Sequence, residues 1–287
     1  INAESHYGNI VVKANASQDD GLTDYTDGLT QKITTPKVNL MAAINQTYTL
    51  GRNIVEWKST LDYNYAKDKF NLTHQNDSAS ATLHPYSDEL TNNLWHTSHS
   101  LSWNRQYGKW HTDNGLQLEA ENLNVAHENN VLLQGALAPS CYYKDEDWRI
   151  SFSPSITLKR FTHQGSTLLL PQGSVYINRD YGNRSNWNLS LSYNESTSAW
   201  NDLAISHRRT DYRTWMDAPD FIPRTRSLLS SFGYNYKRAI YQFFSNFKVS
   251  ASRIWNSAAM DMVINDGNYN YAWIRHNSHS DNTNGSA

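Results

Sequence analysis

Between Ser196 and Arg224 the chain gathers flat rings and cations whose chemistry is that of recognition. Trp200, His207, Arg208, Arg209, Tyr212, Arg213 and Trp215 all fall in this polar stretch. Such rings stack on sugars or planar ligands, and guanidinium forks clamp carboxylates or phosphates. The same groups serve equally to pin a long loop to its neighbours, so ligand contact and internal anchoring both stay open. Catalysis finds less support. Ser206, His207 and Asp211 are neighbours in sequence, an arrangement that seldom forms a triad, and no Gly-x-Ser-x-Gly elbow occurs. None of the 11 histidines shows a His-x-x-x-His spacing, and His276 and His279 fall at a strand end and a turn. Cys141, the lone cysteine, reads as an inert thiol on a strand. No glycine-rich phosphate loop is present. The expectation is no catalytic residue, no metal and no cofactor.

The elements that position this stretch announce themselves by alternation. Trp148, Ile150, Phe152, Pro154, Ile156 and Leu158 are interleaved with Arg149, Ser151, Ser153, Ser155, Thr157 and Lys159. A period of two means a strand with one greasy and one wet surface. The pattern returns around Trp187–Tyr193, Trp57–Tyr65 and Tyr241–Ala251. About twelve strands are expected in all, near 8–16, 37–50, 54–66, 92–106, 110–125, 131–143, 148–161, 167–179, 185–195, 225–237, 242–255 and 268–277. Their connections alternate in length. Short turns lie at Gly51–Asn53, Tyr107–Lys109, Lys144–Asp147, Asp180–Arg184 and Arg238–Ala239, and long links at Ser17–Pro36, Lys67–Thr91 and Ser196–Arg224. Outer-membrane barrels of bacteria carry this asymmetry. Several of these strands exceed the about 5–6 residues of soluble sheets and suit a tilted crossing of about 9–11. Trp95, Trp110, Trp148, Trp187 and Trp255 lie near strand ends, as an aromatic girdle or as ordinary cross-strand aromatics. Pro154 and Pro171 inside strands predict a β-bulge.

Bulk composition agrees. A net charge of −2 argues against a nucleic-acid binder, which carries a basic excess. Charged residues are 18% of the chain and aromatics 13%, a balance suited to wet and greasy surfaces meeting at an interface. A mean hydropathy of −0.71 does not oppose a membrane wall, because alternation cancels the average. No run of about 18 apolar residues exists, so a transmembrane helix is not expected.

Three motifs carry a family resemblance. They are Leu189-Ser-Leu-Ser-Tyr-Asn-Glu-Ser-Thr, Asp217-Ala-Pro-Asp-Phe-Ile-Pro and Ser227-Leu-Leu-Ser-Ser-Phe-Gly-Tyr-Asn-Tyr. Residues 187–267 thereby resemble TonB-dependent-receptor-like outer-membrane β-barrel proteins of the Bacteroidota type. Asp217-Ala218-Pro219-Asp220 stands where that family carries Gly-Asn-Pro-Asp, and residues 1–186 match only in strand rhythm. The resemblance implies an all-β, antiparallel transmembrane β-barrel segment, about twelve long strands of a barrel of about 22. It implies a place in the outer membrane and uptake of a nutrient ligand with TonB-type energy coupling. Residues 1–287 would form part of one barrel domain, an interior arc, with plug and closure outside this chain. No leader is expected within these residues, since Ile1 opens a polar segment.

The partners implied are outer-membrane lipid and lipopolysaccharide, whose phosphates the loop cations could also meet. The others are the TonB complex, reached through the plug, an unknown nutrient and a surface lipoprotein; no nucleic acid is expected. Two other readings stand beside this one. One is a passive porin-like or assembly barrel, and the other a soluble surface β-protein that binds polysaccharide on its aromatics. Enzymatic function is not expected.

Overall fold

Strands with one wet and one greasy face pack edge to edge in the structure, a computed structural model. It describes residues 3–24, 29–74, 86–125, 128–162, 164–182, 184–198, 203, 207–209, 214–217, 219–238, 243–265, 268–274 and 284–286. The main sheet begins with β1 (Ala3–Asp24), β2 (Leu29–Leu50), β3 (Asn53–His74), β4 (Tyr86–Tyr107), β5 (Trp110–Val125) and β6 (Glu128–Lys144). It continues through β7 (Trp148–Phe161), β8 (Ser166–Tyr181) and β9 (Ser185–Thr197) to β12 (Arg224–Arg238), β13 (Phe243–Asn256) and the short β16 (Asn284–Ser286). These strands form one 12-stranded sheet in that order. Every neighbouring pair is antiparallel. Among the described residues β1 pairs with β2 alone, so the sheet is an open arc.

Eleven of the expected strands lie in this sheet, the twelfth, 268–277, falls outside it, and β16 was not expected; the first four strands are taller than alternation suggested, at 22 residues each. Their upper arms absorb much of the Ser17–Pro36 and Lys67–Thr91 links. These arms carry few apolar residues: on the inner face Phe70 and Leu72 are buried beside the polar Gln31 and Thr35, too sparse an alternation to mark the arms in the sequence. Cross-strand pairs such as Lys67–Glu89 (2.7 Å) hold them instead.

Among the described residues nothing is packed on the greasy face. Leu118 and Phe152 are 51% and 52% exposed, and Leu116, Leu133, Leu137, Ile156, Leu158, Leu189 and Leu191 are exposed beside them. A continuous apolar surface of this kind marks a contact with lipid or another apolar phase. Aromatics border it. Toward the short turns Trp110 lies 4.8 Å from Tyr143, and Trp148 meets Trp187 edge-on at 6.0 Å. Toward the long loops Trp95 lies 4.5 Å from Tyr63. The outward Arg179 guanidinium sits over Trp148 (4.6 Å) and Tyr181 (4.5 Å), at the edge of the band rather than within it. His99, in mid-face, has its Nδ1 2.9 Å from the Ser59 hydroxyl. The opposite face is polar, with Ser190–Ser231 and Asn186–Asn235 pairs, each at 2.8 Å.

Tight turns close the lower end, where Gly108 and Gly182 adopt φ of 60° and 58°, a left-handed conformation suited to glycine. There Lys109 Nζ lies 2.6 Å from Asp145 Oδ1, and the Lys144 amide donates to the Lys109 carbonyl at 3.1 Å. Lys109 holds the Asp145 carboxyl below its ordinary range, helped by the Glu146 amide, and Asp145 raises Lys109 in turn. A depressed carboxylate stabilises above its unfolded pKa and loses that as pH falls through the folded value. A raised lysine loses its contribution only as pH rises through its own. The tether is therefore intact at neutral pH and fails in acid. Asp145→Asn should speed hydrogen exchange at the Lys144 amide about two- to fivefold at pH 7, an exposed pair being weak. The difference should vanish near pH 2.

The prolines do not act as expected. Pairing of β7 with β8 runs without a register shift, setting Pro154 opposite Gly173 and Pro171 opposite Ile156. No bulge forms at either proline. Instead ladders lapse: the β6–β7 pairing skips from Leu137–Ile156 to Cys141–Phe152, and β8–β9 pairing stops at Gly173–Tyr193. A residue without an N–H simply ends the ladder it would have served.

Candidate functional site

The lapse at Pro171 prepares the site. Above Gly173, β8 is released from β9, and the Gln172 side-chain amide donates to the Glu195 carbonyl across the gap (3.1 Å). Leu168 and Leu170 of this free upper segment lie on the polar, inner face, level with Lys159 and Thr157. They join Leu132 and Phe161 in an apolar patch that would be anomalous on a wet wall. The link between β9 and β12 covers it. Leu203 is 2% exposed in this cluster, and Ile222 packs against it. The long link therefore folds inward over the upper inner wall.

Its roots are gripped from the other side too. Glu195, 3% exposed, takes Arg224 Nη1 at 3.3 Å, Arg226 Nε at 3.2 Å and the Tyr193 hydroxyl at 3.1 Å. Pro219 and Pro223 are buried. The Arg224 amide donates to Ser257 Oγ (2.7 Å), and the Ser257 amide donates to the Arg224 carbonyl (2.9 Å). One root thus serves both long links at this side of the sheet. Beyond it a second sheet joins them, in the order β10 (His207–Arg209), β11 (Thr214–Asp217), β15 (Asn268–Ile274) and β14 (Ala259–Asn265). The β11–β15 pairing that unites the two links is parallel. At their shared root lies a cavity of about 420 Å³, where Ser166, Asp220, Arg224 and Ser257 face Leu168, Phe221 and Ile222.

The sequence-derived candidates distribute as follows. His207, Arg208 and Arg209 form β10, and Trp215 lies in β11. Register sets His207 opposite Asp217, Arg208 opposite Met216 and Arg209 opposite Trp215. The backbone thus brings four of the seven onto one short hairpin. Trp200, Tyr212 and Arg213 lie outside the described residues, as do His276 and His279. Anchoring, the other role open to this stretch, is supplied by residues that alternation did not single out: Leu203, Ile222, Pro219 and Pro223.

A second constellation was also missed. Asp62, His96 and Glu121 stand in one register row across β3, β4 and β5, with Glu119 two residues below Glu121. His96 Nδ1 is 3.3 Å from Asp62 Oδ2. The Glu119-x-Glu121 spacing, two carboxylates on one strand face, is the trace it leaves in the sequence.

No protein-family model and no curated protein matches the chain. Among solved structures it is similar to the copper transporter OprC, with a TM-score of 0.54 and 11% identity, over 93% of this chain and 52% of that one. The siderophore receptor PirA from Pseudomonas aeruginosa gives a TM-score of 0.49 and 9% identity, over 92% and 57%. The chain thus spans about half the length of these structures. The OprC likeness shows the fold: an all-β, antiparallel arc of an outer-membrane β-barrel wall. At 93% of the chain, the likeness takes in most of residues 1–186, where the sequence resemblance was one of rhythm.

Proposed function

We propose that the chain is part of the barrel of a TonB-dependent outer-membrane receptor that takes up a nutrient. The observation that carries this is the pairing of an exposed apolar face, bordered by aromatics, with a polar inner wall over which the long links fold. The first surface suits lipid, and the second a solvated passage narrowed from one end. Residues 1–287 form part of one barrel domain on this reading, with the plug and the closing strands encoded outside it. The Asp217–Pro223 motif supports the Bacteroidota type. The ligand reaches His207, Arg208, Arg209 and Trp215 first, together with Trp200, Tyr212 and Arg213 of the same link. Lipopolysaccharide surrounds the outer rim, the TonB complex acts through the plug, and a surface lipoprotein is a natural partner for the long-loop end. No residue is assigned a catalytic role.

The test is competitive growth of a strain lacking the gene against its parent, one limiting nutrient at a time, with and without TonB. A deficit under one limitation that disappears when TonB is absent from both strains supports the proposal. A deficit that persists without TonB favours a passive barrel, and a protein recovered without detergent favours the soluble polysaccharide binder. Replacing Arg208 and Arg209 together by Ser should raise the half-saturating nutrient concentration about tenfold or more. Each charge-assisted bond to an anionic ligand is worth about 1.5–3 kcal/mol.

A further inference from the structure

The geometry points to a binding site for a single divalent transition-metal ion on the inner wall, formed by His96, Glu119 and Glu121. One ligand atom from each of these three side chains lies within 4.8 Å of the other two. The donor set is one imidazole and two carboxylates, which suits borderline divalent ions such as zinc or cobalt. Bonds of about 2.0–2.2 Å to such an ion bring donors to roughly 3.3 Å from one another, so rotamer adjustment of about an ångström closes the site.

Two supports make this a built arrangement rather than a loose group of charges. Asp62 takes up His96 Nδ1 (3.3 Å), which fixes the ring and leaves Nε2 as the coordinating nitrogen. A carboxylate behind a ligating imidazole both orients it and raises its basicity. Gln117 donates through its side-chain amide to Glu119 Oε1, holding that carboxylate from below. The ligands sit on paired strands, so the ladder of β4 and β5 sets their spacing. Directly above, Leu94 and Leu123 are packed together on the same inner face, limiting water from the long-loop side. His99, three residues from His96, points to the opposite face and takes no part. This inference rests on the wall itself and stands whether or not uptake is energy-coupled.

The experiment is titration of the intact barrel protein, stripped with EDTA and held in detergent, with Co²⁺ and separately with Zn²⁺. Co²⁺ is read by its visible ligand-field band and Zn²⁺ by competition. One saturable site per chain is expected. His96→Gln and Glu121→Gln should each weaken it at least tenfold, and Asp62→Asn about ten- to hundredfold without removing a ligand. His99→Gln should leave the isotherm unchanged. Folding of each variant is checked by its band shift on unheated gels. Absence of a saturable Co²⁺ site, or a site that survives His96→Gln and Glu121→Gln in folded protein, overturns the proposal.

Discussion

Leu191→Arg should destabilise the folded barrel by about 2–4 kcal/mol, whereas Ser192→Arg, one position along the same strand, should change it by less than about 0.5. Leu191 is 44% exposed on the apolar face, midway between Trp187 near the short turn and Glu195 at the loop root. Its register partners are Val175 and Ser230, so nothing charged lies beside it. In lipid a guanidinium at mid-depth has neither water nor a counter-ion. Ser192 points to the polar wall, opposite Ser174 and Leu229, where an arginine can extend into water. The measurement is guanidinium unfolding of the intact protein in lipid vesicles. Equal, small effects at the two positions would mean that water covers both faces, and the membrane reading would fall with them. The opposite ordering would mean that the faces are inverted.

That test exploits the part of the fold most legible in the sequence. Alternation from Trp148 to Leu158 names the lipid-facing side of β7 outright, because a one-residue error would turn the whole strand inside out. The same clarity gave the short turns, where glycine marks the reversal at Gly108 and Gly182. Legibility failed where the physics is not local. The upper arms of β1 to β4 carry few apolar residues, with Phe70 and Leu72 buried beside the polar Gln31 and Thr35, so alternation is too sparse to show how far the hydrogen-bonded ladders extend. The β10–β11–β15–β14 sheet is joined by a parallel pairing between two distant links; β15 was expected, within 268–277, but β10, β11 and β14, of 3, 4 and 7 residues, leave almost no periodic trace. Leu168, Leu170 and Leu203 become intelligible only once the link is seen folded inward. Leu168 and Leu170 otherwise read as stray apolar residues on the wet side of a strand. The His96 cluster was hidden by the same cause, since Asp62, His96 and Glu121 meet only through register across three strands.

Leu203→Asp should open the long link and raise tryptic cleavage after Arg208, Arg209 and Arg213 at least about thirtyfold. Leu203 is 2% exposed among Leu132, Phe161, Leu168 and Leu170. Removing its burial forfeits about 1.5–3 kcal/mol, and placing a carboxylate there adds desolvation to the loss. Cleavage of a segment that must first open follows the free energy of local opening, so 2 kcal/mol becomes a factor of about 30. Leu203→Met conserves volume and should stay within about threefold of the wild type. Because the anchoring patch belongs to the wall, Phe161→Ala should reach the same end from the other partner. It should also cost the wall about 3–5 kcal/mol, which Leu203→Asp does not. Cleavage unchanged in Leu203→Asp would place the hold elsewhere, in the β11–β15 pairing or the Glu195 clamp. Accelerated cleavage with an intact wall would establish that apolar residues on the polar face hold the long link in the mouth of the barrel. The cations on β10 would then owe their position to a buried leucine four residues before His207.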